Sequence, residues 1–503
     1  MGEGNLHILT KIVATVGPAC ADSDTLGKLI AEGVRVFRIN FSHGTFDQFA
    51  RSLSLIREAA ETSGIPVGAL GDLSGPKIRV GQVEPGGVEL HVGQRVEFAR
   101  EVVVAKPVSA GDTATFSCTL PSLIDDVEPG QRVLINDGAI RMLALDKDPA
   151  TGRLGCAVTH GGLVTSGKGI NLPETAVTAP SLTERDQECV TWAVEHGIDF
   201  LALSFVRHPS DIIQLKNLLK AKGRSRSSGR RLPIIAKIEK PQALEHLEAI
   251  VDATDGLMVA RGDLGVEMDL AEVPVIQKRI IQLSHDYGKP VIVATQMLQS
   301  MIDEPAPTRA EASDVANAIF DGADAVMLSG ETAVGRFPVV AVNTMRRIIL
   351  ASEAYMRTKP GKWFQAPRKL KDTKYRTAAL AHGVSVIVRD MDARLVATWS
   401  QMGGGARYLS QNRLAVPILA ASSDAEALRQ MNLLFGVHPV LMPQPKNAED
   451  WLNQLDLLLL DKRWSREGDP IVIAKGDPLG TSGVTNKIRI HYVGDVCRVA
   501  WNI

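Results

Sequence analysis

The chain has 503 residues, a formal net charge of -1, 45% hydrophobic residues and 22% charged residues. This length exceeds what one hydrophobic core supports, so we expect roughly two to four domains. The near-zero charge excludes a global attraction to nucleic acid or to an anionic membrane. No apolar run reaches the ~18 residues that span a bilayer. The five cysteines form no CxxC pair, and residues 1–7 lack a signal-peptide pattern, so we expect no disulfide framework, no zinc site and a cytoplasmic location.

Eight short apolar runs alternate with helical patterns, which is typical of parallel βαβ units. They lie at residues 12–16, 34–39, 67–70, 200–203, 234–238, 257–260, 291–294 and 325–328. Ser181 with Glu184, and Thr308 with Glu311, match the capping-box pattern of a helix N-terminus. Eight strands each followed by a helix predict the α/β fold class and a (β/α)8 barrel.

One long interval interrupts this alternation, at residues 77–177. It is rich in Val, Gly and Pro, with short alternating runs near 88–92 and 132–135 and a turn sequence at Asn136-Asp137-Gly138. We therefore predict an inserted all-β domain on the third βα loop of the barrel. Such loops lie at the carboxyl mouth of the barrel, where a lid would close over a site.

The alternation restarts after a polar, proline-containing segment that begins near residue 358. Strands are predicted at 395–398, 417–420, 438–441 and 471–474, with helices at 425–435 and 448–460 between them. This pattern predicts a separate open α/β domain at 358–503. The barrel then comprises residues 1–76 and 178–357, on either side of the insertion.

Polar residues follow the ends of six predicted barrel strands, and all carboxyl ends of barrel strands open at one face. They are Arg38, Asn40, Ser42 and His43 at the second strand, Asp72 at the third, Lys237 and Glu239 at the fifth, Arg261, Gly262 and Asp263 at the sixth, Thr295 and Gln296 at the seventh, and Ser329 and Glu331 at the eighth. We expect these residues, which are distant in the chain, to share one pocket.

Two carboxylates on adjacent strand ends, Glu239 and Asp263, suit a partial Mg²⁺ shell; the alternative is a pair of surface carboxylates. Lys237 beside them indicates a phosphoryl group, because an ammonium neutralises charge on a phosphate in transfer. Gly262 permits close backbone approach to a ligand carboxylate, or is a turn residue. Hydroxyl and carboxylate groups at the seventh and eighth strands either hold a proton-delivering water or cap helices.

Seven motifs in register resemble the pyruvate kinase family. They are TKIVATVGP at 10–18, RINFSHG at 38–44, AKIE at 236–239, MVARGDLG at 258–265, ATQM at 294–297, PTRAE at 307–311 and MLSGET at 327–332. The resemblance implies a barrel, a mobile β lid, a C-terminal regulatory domain and a homotetramer. It also implies phosphoryl transfer from phosphoenolpyruvate to ADP, giving pyruvate and ATP in the last step of glycolysis, with Mg²⁺ or Mn²⁺ as cofactor.

The resemblance further implies a role for each site residue. Lys237 stabilises the transferring phosphoryl group, and Arg38 contacts the phosphate of phosphoenolpyruvate. The carboxylate of phosphoenolpyruvate is bound by Gly262, Asp263 and Thr295. Glu239 and Asp263 hold the divalent metal. The nucleotide contacts are Asn40, His43, Arg79 and Lys168, and the group that supplies a proton to the enolate is Thr295, Ser329 and Glu331.

This chain departs from many relatives at the monovalent-cation site. The K⁺ ligands of those relatives correspond to Asn40, Ser42, Asp72 and the carbonyl of Leu73. They carry glutamate where this chain has Lys77. A tethered ammonium can supply the positive charge of the ion, so we expect that K⁺ is not required. The alternative is a surface lysine without such a role.

The second departure lies in the loop that binds fructose 1,6-bisphosphate in some relatives. Hydroxyls and glycines remain, but the basic residue within the loop is missing. The residues concerned are Thr398, Ser400, Gly403, Gly404 and Gly405, with Arg407 just beyond. The loop could form a backbone anion nest, so a sugar-phosphate or nucleotide effector, or none, remains open.

Two other functions are compatible with parts of this pattern. A phosphoenolpyruvate-using lyase or aldolase of similar architecture would share the carboxylate pair but would not need Arg79, Lys168 or the lid. A non-catalytic metabolite sensor would not need Lys237, Glu239 and Asp263, which are all present.

Overall fold

The structure, a computed structural model, describes residues 8–109, 111–222, 232–359, 363, 375–477 and 485–495. It begins with strands and helices in alternation: β1 (Lys11–Thr15), α1 (Ser23–Ala31), β2 (Val34–Asn40), α2 (Phe46–Ser63) and β3 (Gly68–Asp72). Helix α2 begins at a capping box of Thr45 and Gln48 and ends at Gly64, which has a φ of 63°.

The insertion after β3 is all-β apart from one short helix, as predicted. Its elements are β4 (Val88–Leu90), β5 (Arg95–Ala99), β6 (Ala114–Ser117), α3 (Leu123–Asp126), β7 (Arg132–Ile135), β8 (Ile140–Asp148), β9 (Arg153–His160), β10 (Gly162–Val164) and β11 (Ile170–Asn171). Six strands form one sheet in the order β11-β7-β8-β9-β5-β6, and β4 pairs with β10. The predicted turn between β7 and β8 is confirmed, with φ of 55° at Asn136 and 53° at Asp137.

The barrel then resumes. Its remaining elements are α4 (Glu184–His196), β12 (Phe200–Leu203), α5 (Pro209–Lys222), β13 (Ile234–Ile238), α6 (Pro241–Glu245), α7 (Leu247–Ala253), β14 (Gly256–Ala260), α8 (Arg261–Glu267), α9 (Val273–Asp286), β15 (Val291–Ala294), α10 (Arg309–Asp321), β16 (Ala325–Leu328), α11 (Gly330–Ala333) and α12 (Pro338–Arg357). Parallel pairing of β1 with both β2 and β16 closes an eight-stranded barrel. The predicted (β/α)8 barrel is confirmed.

The C-terminal part is an open α/β sheet. Its elements are α13 (Arg376–Asp390), β17 (Val396–Trp399), α14 (Gly404–Gln411), β18 (Ile418–Ser422), α15 (Ala425–Met431), β19 (Val437–Leu441), α16 (Ala448–Asp461), β20 (Pro470–Lys475) and β21 (Lys487–Tyr492). The strand order is β19-β18-β17-β20-β21, and the outer strand β21 is antiparallel to β20. The sequence prediction missed β21, because its exposed positions dilute the apolar signal.

The C-terminal sheet docks on the lower end of the barrel, where the barrel strands begin. Leu433, which follows α15, is 1% exposed and packs with Val13, Val36 and Leu70 in the barrel interior. Asp199 receives Arg57 of the barrel and Arg429 of the C-terminal part, each at 2.8 Å. The barrel therefore has a plug that is supplied by a later part of the chain.

Two local predictions were wrong. The capping box before α4 is formed by Thr183 and Asp186, not by Ser181 and Glu184. The hydroxyl of Ser181 instead donates to the carbonyl of Phe205 at 3.1 Å, which is a tertiary contact. The helix predicted at 425–435 ends at Met431, because the next residues turn into the barrel plug.

The capping box of Thr308 and Glu311 at the start of α10 is confirmed. Within the described ranges, no helix is long and apolar enough to cross a membrane.

Candidate active site

The predicted site residues meet at the mouth of the barrel, where the strands end. Strand pairing sets their positions: Arg38 lies opposite Thr15, and Asn40 lies opposite Asp72. Around the other side of the barrel, Ala260 of β14 pairs with Ala294 of β15. The polar residues that follow these strand ends therefore surround one opening.

Lys237 lies at the centre of a buried charge cluster in this opening. Its ammonium is 2.7 Å from Glu239 Oε1 and 3.4 Å from Asp72 Oδ1. It also donates to the hydroxyl of Ser204 at 2.7 Å, and that hydroxyl donates to the carbonyl of Leu73 at 2.7 Å. The sequence analysis missed Ser204, although it directly follows β12 and so obeys the rule that found the other residues.

The charges in this cluster shift one another's pKa. Burial lowers the pKa of Lys237, but the carboxylates of Asp72 and Glu239 outweigh this effect and raise it. Burial acts to raise the pKa of Asp72, whereas Lys237 and Arg38 together hold it below its ordinary value. For Glu239, burial raises the pKa against the attraction of Lys237, and Asp263 adds to the rise. Lys237 is therefore a fixed cation beside a carboxylate that is costly to ionise.

Arg38 is held at the same opening by an ion pair. Its Nε lies 2.6 Å from Asp72 Oδ2, and its Nη1 donates to the hydroxyl of Thr15 at 3.3 Å. Two cations, Arg38 and Lys237, thus share the buried Asp72 carboxylate. This arrangement provides a positively charged surface for an anionic group, with the cations oriented before a ligand binds.

The sixth and seventh strand ends are joined by a hydrogen bond to a hydroxyl. The backbone N–H of Gly262, in the first turn of α8, donates to Thr295 Oγ1 at 2.7 Å. Thr295 and Gln296 have φ of 68° and 53°, a left-handed conformation that is costly for such residues. Arg261 stabilises it by donating to the Thr295 carbonyl at 3.0 Å while pairing with Asp314.

Glu331 is fully buried behind the eighth strand end. Its carboxylate accepts the backbone N–H of Leu298 at 3.0 Å and that of Ser329 at 2.7 Å. These bonds join the ends of β15 and β16. Within the described chain, the buried hydroxyl of Ser329 has no hydrogen-bond partner. The geometry therefore makes Glu331 an orienting group and leaves the Ser329 hydroxyl available.

Glu239 and Asp263 are the two carboxylates that fit a divalent metal. The Oε2 of Glu239 accepts the N–H of Phe205 at 2.9 Å, and its buried Oε1 faces the Lys237 ammonium at 2.7 Å. Asp263 lies in the first turn of α8 and is half-buried. The described part of the chain has no cluster of three or more His, Cys, Asp or Glu residues for a metal. Two carboxylates fit Mg²⁺ or Mn²⁺, whose shell is completed by substrate oxygens and water.

Arg79 and Lys168, the two nucleotide contacts predicted in the inserted domain, lie close together. Arg79 forms an isolated bridge with Gly169, and its Nη1 donates to the carbonyl of Gly167 at 2.9 Å. Lys168 lies between these two glycines, so Arg79 and Lys168 are neighbours. Lys77 is exposed, and its Cε lies 3.6 Å from the point where a Cβ on Gly169 would stand. Lys77 therefore lies beside Gly169 within the inserted domain and forms no ion pair with Asp72.

The remaining predicted residues lie where β2 ends. The side-chain carbonyl of Asn40 accepts the N–H of Ser42 at 3.2 Å, and the next residue, His43, is exposed. The N–H of Phe41 donates to the carbonyl of Asp72 at 3.0 Å. Asn40, Ser42, Asp72 and Leu73 are thus brought to one edge of the mouth.

A further network that the sequence analysis missed connects the lid with α8. The carboxylate of Glu267 receives the ammonium of Lys240 at 2.5 Å and the side-chain amide of Asn171 at 2.8 Å. Lys240 directly follows Glu239, and Asn171 ends β11 of the lid. The contact crosses 96 residues of sequence, and no local pattern indicates it.

In the predicted effector loop of the C-terminal part, three side-chain hydroxyls lie close to Gly405. A Cβ placed on Gly405 would lie 3.2 Å from Thr485 Oγ1, 3.5 Å from Ser400 Oγ and 3.6 Å from Thr398 Oγ1. Gly403 has a φ of 80°, and helix α14 begins at Gly404. Thr485 was not predicted for this group. Arg407 is half-buried in the first turn of α14.

Comparison with known proteins decides the family. The model of the pyruvate kinase barrel domain matches residues 8–342, and that of the pyruvate kinase alpha/beta domain matches residues 378–491. The chain belongs to the pyruvate kinase family. Pyruvate kinases use phosphoenolpyruvate and ADP as substrates, so the predicted family, fold, reaction and phosphotransferase class are confirmed.

Individual pyruvate kinases match over nearly the whole chain. The enzyme of Mycobacterium tuberculosis is 40% identical over 487 residues, covering 96% of this chain and 98% of its own. That of Geobacillus stearothermophilus is 39% identical, covering 97% and 81%. A crystal structure of a pyruvate kinase from Cryptosporidium parvum is similar with a TM-score of 0.87 and 32% identity, covering 97% of this chain and 96% of that one.

Proposed function

We propose that the charge cluster at the barrel mouth is the phosphoryl-transfer site of this pyruvate kinase. The observation that carries this proposal is the buried ammonium of Lys237, 2.7 Å from Glu239 and 3.4 Å from Asp72. Phosphoryl transfer passes through a loose transition state, so fixed positive charge and positioning account for most of the catalysis. Lys237 neutralises charge on the group in transfer, and Arg38 binds the phosphate of phosphoenolpyruvate.

The carboxylate of phosphoenolpyruvate is received by the N–H groups at the start of α8, around Gly262 and Asp263, and by Thr295. The hydrogen bond from the Gly262 N–H to Thr295 Oγ1 supports this assignment, because it places the start of α8 and the Thr295 hydroxyl side by side at the barrel mouth. Closing this site removes water that would otherwise compete with ADP for the phosphoryl group.

The family generally needs a divalent metal. In this chain the residues for it are Glu239 and Asp263, with Mg²⁺ or Mn²⁺ as the ion. Held by these two carboxylates, the ion would supply positive charge that neutralises the charge of the substrate oxygens. Glu239 fits this role because burial and the neighbouring Asp263 raise its pKa even with the Lys237 ammonium 2.7 Å away, so a further cation beside the two carboxylates would stabilise their charge.

The proton for the enolate is delivered through water held by the hydroxyls of Thr295 and Ser329. The buried Ser329 Oγ, which has no hydrogen-bond partner in the part of the chain that the structure describes, supports this role. Glu331 orients Ser329 through its backbone N–H.

The nucleotide is bound by Asn40 and His43 on the barrel side and by Arg79 and Lys168 on the lid side. The backbone bridge between Arg79 and Gly169 supports this assignment, because it places Arg79 next to Lys168. The contacts of Asn171 with Glu267 support a lid that comprises residues 77–177, between barrel segments 1–76 and 178–357.

K⁺ is not required in this proposal, because Lys77 replaces the ion that Asn40, Ser42, Asp72 and Leu73 would otherwise bind. The position of Lys77 at the start of the lid, near Gly169, favours delivery of its ammonium when the lid closes. In relatives with glutamate at this position, K⁺ would supply the missing charge.

The experiment measures pyruvate formation from phosphoenolpyruvate and ADP with Mg²⁺, first without K⁺ and then with added K⁺. The wild type should be fully active without K⁺, and Lys77→Glu should become dependent on it. The control is Lys106→Glu, which changes an exposed lysine of the same insertion and should leave the K⁺ response unchanged.

Each outcome has a distinct meaning. Wild-type activity only with K⁺ would discard the role of Lys77 and keep the enzyme assignment. No pyruvate under either condition would discard the assignment itself, with phosphate release in the absence of ADP indicating a lyase and binding without turnover indicating a sensor.

The loop of Thr398, Ser400, Gly403, Gly404, Gly405 and Arg407 binds a phosphorylated effector, a sugar phosphate or a nucleotide. The three hydroxyls that converge on Gly405 support an anion site there. The C-terminal regulatory domain comprises residues 358–503.

The chain forms a homotetramer in the cytoplasm. The outer strand β21 supports self-association, because Ile490 and Tyr492 are 45% and 43% exposed on an edge that pairs with β20 on one side.

A further inference from the structure

A cavity of about 590 Å³ lies at the end of the barrel opposite the mouth. One wall comes from the barrel: Lys11 at the start of β1, Arg35 near the start of β2, and Arg346 of α12. The facing wall comes from the C-terminal part and includes Leu419 of β18 and Trp464 after α16. The cavity is therefore formed between the two parts of the chain.

The barrel wall of this cavity carries positive charge without matching negative charge. Lys11 is 1% exposed, and its ammonium donates to a neutral acceptor, the carbonyl of Val437, at 2.6 Å. Arg35 donates to two backbone carbonyls, those of Ile30 and Val34. Among the described residues, Lys11, Arg35 and Arg346 form no ion pair, and no Asp or Glu lines the cavity.

The cations disfavour one another's charge. Burial, and then the neighbouring Arg35, lower the pKa of Lys11 to about 7. Burial and Arg346 lower the pKa of Arg35 to about 10. Glu353 opposes the shift at Lys11, but its carboxylate already accepts the backbone N–H groups of Leu9 and Thr10. Buried charges are normally paired, so this cluster lacks an anion.

We propose that this cavity binds a small organic phosphate, whose phosphate group pairs with Arg346 and Arg35 near Lys11. Guanidinium groups bind phosphate through paired, charge-assisted hydrogen bonds. A volume of about 590 Å³ exceeds a phosphate ion and lies in the usual range for small-molecule sites. The apolar residues of the cavity, such as Ile65, Pro66 and Trp464, suit the organic part of the ligand.

This site is separate from both sites described above. The phosphoryl-transfer residues lie at the carboxyl ends of the barrel strands, whereas Lys11 and Arg35 lie at the starts of β1 and β2. Leu419 and Trp464 pack on the face of the C-terminal sheet that carries α16. The loop that begins near Thr398 leads into α14, which packs on the opposite face. A ligand in the cavity would join the barrel to the C-terminal sheet.

The test is calorimetric titration of the intact protein with phenyl phosphate, with phenol as the uncharged control. Arg346→Met removes the charge and keeps most of the side-chain stem, while Arg347→Met changes an exposed arginine one position along the same helix. Binding of phenyl phosphate at the active site is common to both variants. The difference between their isotherms therefore reports the cavity.

We expect Arg347→Met to bind like the wild type and Arg346→Met to lose one class of sites or bind there roughly tenfold more weakly or worse. Arg346→Lys, which keeps a charge, should recover part of the affinity. Both methionine variants should retain catalytic activity, which shows that they fold. Identical isotherms for Arg346→Met and Arg347→Met would overturn the proposal, as would equal binding of phenol and phenyl phosphate.

Discussion

The substitution Lys237→Met tests the charge cluster most directly. Lys237 is 9% exposed and contacts both Asp72 and Glu239, so its removal affects catalysis and stability at once. Loss of one preorganised electrostatic partner of a transition state typically lowers kcat by about 10²–10³, or about 2.7–4 kcal/mol. We expect a decrease in kcat of this size, with a smaller change in the KM for phosphoenolpyruvate, because Arg38, the proposed phosphate contact, is still in place.

The stability effect follows from the charges that remain. Removing one member of a buried ion pair typically costs about 3–5 kcal/mol. Asp72 keeps Arg38 at 2.6 Å, and Glu239 keeps the N–H of Phe205, so we expect the lower end, about 3 kcal/mol at neutral pH. The loss should shrink in acid, because Glu239 then takes up a proton and no longer needs a cation.

Steady-state kinetics and urea unfolding at neutral and acid pH measure these effects. Lys240→Met is the matched control, because Lys240 is also 9% exposed and pairs with a buried carboxylate, that of Glu267. Lys240→Met should lower the free energy of unfolding by a comparable amount, but it should decrease kcat much less than Lys237→Met does. A decrease of less than about tenfold in kcat for Lys237→Met, or an equal decrease in both variants, would refute a direct role of Lys237 in phosphoryl transfer.

Two further predictions concern stability. Leu433→Ala should lower the free energy of unfolding by about 2–5 kcal/mol, because it leaves a cavity at the base of the barrel; a loss below about 1 kcal/mol in urea unfolding would contradict its role as a plug. The pKa of Asp72 is lowered in the folded state, so its contribution is present above its unfolded value and is lost as pH falls through its folded value. The wild type should therefore exceed Asp72→Asn in stability near neutral pH and lose this advantage on acidification; a constant difference in acid unfolding would contradict the ion pairs.

The sequence determined the barrel and its mouth. Seven of the eight barrel strands are short, mainly apolar and buried at every position, and burial on both faces makes such runs visible without a structure. The polar residues that follow them must share one face, because parallel strands of a barrel end together. Lys237, Glu239 and Asp263 could therefore be placed in one pocket from order alone.

Only the tertiary structure decided which groups contact one another across the chain. Ser204 connects Lys237 with the Leu73 carbonyl, and Asn171 of the lid reaches Glu267 of α8, through contacts with no local signal. The capping box before α4 was placed two residues too early, because Ser181 is equally suited to capping until its bond with Phe205 is known. Secondary-structure propensity and the burial pattern of a strand depend on residues that are neighbours in the sequence. Charge pairing, the barrel plug and the basic cavity depend on how distant segments pack, which the order of residues alone does not reveal.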